Sequence, residues 1–211
     1  TETPSLDGPL LDITGVDELR GITAVEGWRR FGAATSWTDI LRADLPAAYN
    51  GLKAAAREIG GVQIQASGTI GGNLCTASPA GDSIPCLMTL NAAIELASRR
   101  GARRLPLNEF LTGPRQTACA PDELVTAVYV PSDAEVGVGG FEKLGARRYL
   151  VISIAMTAAR LSIADGRIGD AAISVGACAP VAVRLTELEA GLRGMAYDMA
   201  CLLYTSDAAD E

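Results

Sequence analysis

The chain has 211 residues, 48% of them hydrophobic and 20% charged, with a formal net charge of −7 and an isoelectric point near 4.7. That length holds one large domain or two small ones, the balance is that of a globular chain, and the acidity argues against nucleic acid as a partner. No apolar run approaches the roughly 20 residues of a membrane span, no secretion signal opens the chain, and the absence of histidine excludes Ser-His-Asp, Cys-His and His-based zinc chemistry.

Residues 9–35 alternate short apolar pieces with turns and read as strands. Ser36 or Thr38 caps a helix beginning near Asp39. Ala47, Ala48, Leu52, Ala55, Ala56 and Ile59 recur at helical spacing over 46–59, and Gly60-Gly61 stops that helix. Residues 68–82 are rich in glycine and short polar residues; the plainest reading is a tight Gly-Gly turn followed by a loop. Residues 83–92 read as a buried helix entered through Pro85. Ala93 to Ser98 and Arg103 to Pro106 form a hairpin about the turn 99–102, residues 108–111 a short helical turn, and Leu124 to Val130 a strand closed by Pro131. Residues 132–140 read as a linker or long hairpin loop. Ile152 to Ile163 is either a long strand or a helix running into a strand. Asp165-Gly166-Arg167 then turns the chain into a partner strand, Ile168 to Ala177, and Leu185 to Leu192 reads as a helix. The last eleven residues, 201–211, break the pattern and read as a non-native tail.

The segment 68–82 concentrates groups suited to a phosphorylated, ribose-bearing ligand. Gly68, Gly71 and Gly72 let the backbone approach closely and expose N–H groups. Thr69, Asn73 and Ser78 add short polar side chains, and the Asp82 carboxylate can accept from ribose or ribityl hydroxyls. Asp82 also suits the N-cap of the helix starting near Ile84. Lys143 and Arg147-Arg148 fit a solvated face equally well, and Trp28 and Trp37 read as packing anchors. Cys75, Cys86, Cys119, Cys178 and Cys201 form no Cys-x-x-Cys pair. They read as reduced, buried thiols of a cytoplasmic protein, with no iron–sulfur or zinc site in this chain.

Gln63-Ile64-Gln65, Gly68-Thr-Ile-Gly-Gly-Asn73, Ala77-Ser-Pro79 and Gly81-Asp-Ser-Ile-Pro85 follow one another in order. Further on come Pro106-Leu-Asn-Glu-Phe110, Gly113-Pro-Arg-Gln-Thr117, Pro121-Asp-Glu-Leu124 and Phe141-Glu-Lys-Leu-Gly-Ala-Arg-Arg148. From about Leu10 to Arg193, this order and spacing resembles the flavin-binding subunit of the molybdenum hydroxylases, the xanthine dehydrogenase and carbon monoxide dehydrogenase enzymes. The resemblance implies an α+β fold. FAD-binding α/β subdomains of the vanillyl-alcohol-oxidase and CO-dehydrogenase flavoprotein type would occupy 1–133, the second of them about 60–133. A C-terminal α+β domain with a small, three-stranded antiparallel sheet would occupy 134–200. The family's opening strand and Gly-rich loop are missing from this chain, which implies an incomplete first subdomain, and Gln63-Ile64-Gln65-Ala66 stands where a cation is usual.

FAD is the implied cofactor. Thr69, Ile70, Gly71, Gly72 and Asn73 would hold its phosphate region, with Gly68 and Ser78 flanking. Asp82 would bond the ribityl or phosphate-side hydroxyls, Lys143 would lie near the isoalloxazine ring, Ile59 and Val125 would line the pocket, and Thr35 would sit close by. The implied partners are a molybdenum-cofactor subunit and a [2Fe–2S] subunit, with NAD+ or another acceptor taking the electrons. No side chain here then has to act as a strong acid or base. The alternative is a non-catalytic assembly module that docks a partner without flavin. An independent oxidase of the vanillyl-alcohol-oxidase type ranks last, since this chain has no histidine for covalent attachment and no room for a substrate domain.

Overall fold

A computed structural model describes residues 11–147 and 150–197. After a short 3-10 turn at Asp17–Leu19, β1 (Ile22–Val25) and β2 (Trp28–Gly32) form a hairpin about Gly27. Ser36 caps α1 (Trp37–Arg42): its hydroxyl accepts from the Asp39 N–H while the Asp39 carboxylate accepts from the Ser36 N–H. A 3-10 turn at Ala47–Tyr49 leads into α2 (Asn50–Glu58), which buries Leu52, Ala55 and Ala56 on one face. Three short helices follow: α3 (Val62–Ser67), α4 (Ile70–Thr76) and α5 (Ser83–Thr89), the last buried along its whole length.

Next come β3 (Ala93–Ser98), β4 (Gly101–Pro106), α6 (Leu107–Phe110), the small pair β5 (Leu111–Gly113) and β6 (Gln116–Thr117), and β7 (Leu124–Pro131). An antiparallel sheet runs β1-β2-β7-β3-β4. A second antiparallel sheet, ordered β11-β10-β9-β8, contains β8 (Val138–Leu144), β9 (Ala155–Ala164), β10 (Arg167–Gly176) and β11 (Val183–Arg184). The helix α7 (Thr186–Leu192) packs Leu192 against Ile168 and Ala171 of β10. One continuous core joins both sheets, with Phe31, Trp37 and Ile94 on one side and Phe141 and Met156 on the other.

Several expectations are corrected. Residues 132–140 are no linker: Ser132–Glu135 is a 3-10 turn and β8 starts at Val138. The glycines here serve close packing. A Cβ on Gly139 would lie 2.2 Å from the Ala48 carbonyl oxygen, and one on Gly51 would lie 2.7 Å from that of Gly140, so α2 and β8 approach backbone to backbone. The Gly-rich stretch holds the helix α4 rather than a turn and loop. Residues 11–21 and 33–35 are not strand, β9 begins at Ala155 rather than Ile152, and the second sheet has four strands among the described residues rather than three. Among the described cysteines only Cys86 is fully buried; Cys119 is half-buried, and Cys75 and Cys178 are exposed. Cys201, Arg148 and the tail 201–211 lie outside the described residues.

Candidate functional site

The sequence-predicted cradle is built on α4, and its seat is made of backbone. Ser36 and Thr69 form an isolated antiparallel bridge. The Ile70 N–H donates to the Thr35 carbonyl at 3.0 Å and the Gly71 N–H to the Ala33 carbonyl at 2.9 Å. The Gly72 N–H donates to Thr69 Oγ1 at 3.1 Å, which caps the helix. These first amides of α4 are therefore already engaged, which differs from the expectation that the glycines leave them open. Gly71 has a packing reason instead: a Cβ there would lie 2.7 Å from both Cβ and the carbonyl oxygen of Ala33. Gly68 is similarly tight, 2.8 Å from the Ile64 carbonyl oxygen. Gly72 is exposed, with only Thr69 Oγ1 near its missing side chain. What this end offers a ligand is side-chain chemistry: the Thr69 hydroxyl hydrogen and the amide of Asn73.

Asn73 connects this end to the next. Ser83 Oγ donates to Asn73 Oδ1 at 2.6 Å, which leaves the amide N–H₂ of Asn73 as donors. Adjacent Asp82 is the N-cap residue of α5, yet its carboxylate makes no cap bond. It goes instead to Lys143 on β8, with Nζ donating to Oδ2 at 2.8 Å, and to Ser153, whose Oγ donates to Oδ1 at 2.6 Å. Both side chains of the ion pair are only 9% exposed. The Lys143 ammonium also donates to the Val151 carbonyl at 3.3 Å. An ammonium has three N–H groups, so one has no partner among the described residues.

Lys143 borders two hollows. One, of about 600 Å³, is shared with Ala54, Glu58 and Phe141; the other, of about 400 Å³, with the apolar Leu144, Met156 and Val175. A third hollow of about 600 Å³ lies beside Arg184. There the guanidinium is spent on Glu189, Asn91 and the Met88 carbonyl, so no charge remains for a ligand.

The other sequence-predicted residues separate. Thr35 is buried under α4, its hydroxyl donating to the Gly21 carbonyl at 3.1 Å. Ile59 is half-buried at the end of α2, next to Glu58 of the larger hollow. Val125 is 4% exposed and belongs to the core, opposite Leu96. The Ser78 hydroxyl accepts locally from the Ala80 N–H at 3.3 Å. Trp37 is a core anchor, as expected, and Trp28 shares the Arg104 guanidinium with Tyr129. Ser83 and Ser153 were missed: nothing in the spacing of single serines signals a contact 71 residues away.

A part-buried triad, also unforeseen, fixes the turn before β8. Glu135 accepts from Arg29 Nε at 2.5 Å and from the Tyr49 hydroxyl at 2.7 Å. Burial alone would raise the Glu135 carboxyl, but these two donors hold it below its ordinary value. Burial, with the neighbouring carboxylate, pushes the Tyr49 phenol upward.

The donor set fits a flavin dinucleotide. Thr69 and Asn73 present neutral donors for phosphate or ribityl oxygens, Asp82 keeps unused lone pairs for hydroxyls, and a buried ammonium with an unclaimed N–H borders hollows able to take a flat ring. Among the described residues no helix is long and apolar enough to cross a membrane.

Comparison with known proteins agrees. The family described as "FAD binding domain in molybdopterin dehydrogenase" matches residues 5–133, and the "CO dehydrogenase flavoprotein C-terminal domain" matches residues 141–211. The xanthine dehydrogenase FAD-binding subunit of Escherichia coli O157:H7 is 33% identical over 183 residues, covering 85% of this chain and 63% of that one. The nicotine 6-hydroxylase medium subunit of Paenarthrobacter nicotinovorans is 34% identical, covering 88% and 65%. Among solved structures, carbon monoxide dehydrogenase from Hydrogenophaga pseudoflava superimposes with a TM-score of 0.79 at 28% identity, covering 91% of this chain and 67% of that one. The chain thus spans a little under two thirds of the length of the curated relatives it matches.

Proposed function

The chain belongs to the FAD-binding family of the molybdopterin dehydrogenases, and from that premise we propose that it carries the flavin of a molybdenum hydroxylase of the xanthine dehydrogenase and carbon monoxide dehydrogenase type. It is an oxidoreductase subunit with FAD as cofactor. The single observation that carries this reading is the buried Lys143 ammonium. Asp82 holds it, it keeps one N–H without a partner among the described residues, and Ser83, next to Asp82, donates to Asn73 on the helix that Thr69 caps.

In this reading each residue binds or orients. Thr69 and Asn73 donate to the phosphate or ribityl oxygens, with exposed Gly72 leaving room for close approach. Asp82 accepts from hydroxyls. Lys143 directs its remaining N–H at an acceptor on the ring, and Ile59 with the apolar lining beside Met156 excludes water. Thr35, Gly68, Ile70 and Gly71 act on the ligand indirectly by fixing α4, as Val125 does from the core beneath, and Ser78 shapes the loop to Asp82. When bound, FAD supplies the one- and two-electron chemistry that no side chain of this histidine-free chain provides. Electrons would arrive from a partner's [2Fe–2S] clusters, downstream of a molybdenum-cofactor subunit, and leave to NAD+ or another acceptor. We propose two domains, 1–133 and 134–200, which the family matches at 5–133 and 141–211 support. The site then uses both, with Asp82 from the first and Lys143 from the second. A cytoplasmic location completes the proposal and suits the unpaired, exposed Cys75 and Cys178.

FAD titration of the full chain, followed by flavin fluorescence, tests the assignment. Lys143→Met and Asp82→Asn are expected to weaken binding by about tenfold, the loss of one charge-assisted hydrogen bond. Substitution of Lys53, whose Nζ caps the Ala43 carbonyl, is expected to leave binding unchanged. Equal affinity in all three variants would remove Lys143 and Asp82 from the site.

A further inference from the structure

Just before β9, Val151 and Ser153 turn polar groups inward. The Val151 carbonyl accepts from Lys143 Nζ at 3.3 Å, and Ser153 Oγ donates to Asp82 Oδ1 at 2.6 Å. The neighbours of Ser153 are Ile152, 79% exposed, and Ile154, 57% exposed, whereas Ser153 itself is 6% exposed. In an extended segment successive side chains face opposite ways, and hydrophobic burial alone would turn the isoleucines in and the serine out. The observed order is the reverse, so a polar contact has to hold it. That contact is the short, charge-assisted bond to Asp82.

The bond has a mechanical consequence. The terminal torsion of an aspartate is broad and roughly two-fold, so a carboxylate bound through one oxygen can swing. Pinning Oδ1 removes that freedom, and with it the freedom of whatever Oδ2 holds. The four-carbon lysine stem is itself flexible, and its ammonium is located by two acceptors, Asp82 Oδ2 and the Val151 carbonyl, both dependent on this segment.

We propose that Ser153 is a positioning residue: by holding Asp82 Oδ1 it keeps Oδ2 on the Lys143 ammonium and so fixes the direction of the one ammonium N–H without a partner among the described residues. The proposal rests on the flavin reading only for what that N–H meets.

The test uses the full chain with Ser153→Ala and Ser153→Thr. Lys53 and Lys143 are its two lysines, so acylation by an amine-reactive ester, read by peptide mass spectrometry as the Lys143 to Lys53 ratio, reports on the ammonium without any cofactor. The ratio is expected to rise several-fold in Ser153→Ala and to stay near wild type in Ser153→Thr. With FAD added, the midpoint potential of the flavin is expected to shift in Ser153→Ala and to return in Ser153→Thr, a change that a loss of stability alone does not produce. A folded Ser153→Ala chain with the wild-type labelling ratio overturns the proposal. If Ser153→Ala does not fold, Ser153→Cys, a weak donor of similar shape, is read in the same way. A wild-type chain that takes up no FAD ends the flavin reading, while the labelling ratio still decides the role of Ser153.

Discussion

Asp82 and Lys143, 61 residues apart in the chain, meet as an ion pair at 2.8 Å that ties the start of α5 to β8. Removing two charges from water is costly, and a buried pair contributes little net stability over an apolar replacement, whereas removing one partner leaves the other charge stranded. The pair is thus a poor stabiliser and a good candidate for a functional contact.

Asp82→Asn and Lys143→Met are each expected to lower stability in urea unfolding by about 3 kcal/mol, while the double variant recovers part of the loss. Additive losses in the double variant would show that the two side chains act separately.

FAD is expected to protect Lys143 and not Lys53 from acylation. Lys53 donates to the Ala43 carbonyl at 2.6 Å and lines neither hollow beside Lys143, so its rate serves as the internal standard. Equal rates at Lys143 with and without bound FAD would place the ring elsewhere.

Gly71 and Gly72 separate packing from binding. A Cβ at Gly71 meets Ala33 at 2.7 Å, so Gly71→Ala is expected to cost about 2 kcal/mol of stability by overpacking. A Cβ at Gly72 meets only Thr69 Oγ1, at 3.1 Å, so Gly72→Ala is expected to change stability by no more than about 0.5 kcal/mol and to weaken FAD binding. Thermal unfolding and FAD titration on the same samples read both effects, and unchanged affinity in Gly72→Ala would count against close approach of the ligand there.

How legible these features were follows from the range of the interactions. The β3–β4 hairpin, the Ser36 cap, the strand ending at Pro131 and the turn at Asp165-Gly166 are set by neighbours in sequence, and each lies where the local pattern puts it, save that the hairpin turn is two residues tighter, with β4 starting at Gly101 rather than Arg103. The strand β8 and the helix α4 were hidden because glycine, a turn signal locally, is used in both for close approach to a distant partner: Ala48 for Gly139, Ala33 for Gly71. The candidate site divides the same way. The Thr69–Asn73 run and Asp82 were visible as a cluster and through family resemblance. The inward turn of Ser153 between two exposed isoleucines, and the pairing of Asp82 with Lys143, exist only once the two sheets share a core.

Away from the site, Glu123 provides a pH prediction. Hydrogen bonds from Arg103, with help from the Ala120 N–H, hold its carboxyl down at about 2, against 4.5 ordinarily. A depressed folded value means that the stabilisation is complete above the ordinary carboxyl range and is lost as pH falls toward the folded value. Between pH about 5 and about 3, wild type is expected to lose more stability than Arg103→Leu, in which Glu123 titrates at an ordinary pH. Parallel losses in urea unfolding at the two pH values would rule out this pair as a source of acid sensitivity.

The central claim is that this chain holds FAD, and the most direct measurement is the visible absorbance of the purified full chain after incubation with FAD and desalting. The account predicts retained oxidised-flavin absorption, in amounts approaching one flavin per chain, and a smaller retained amount in Lys143→Met. A folded chain that emerges colourless would contradict it and leave the assembly-module reading in its place.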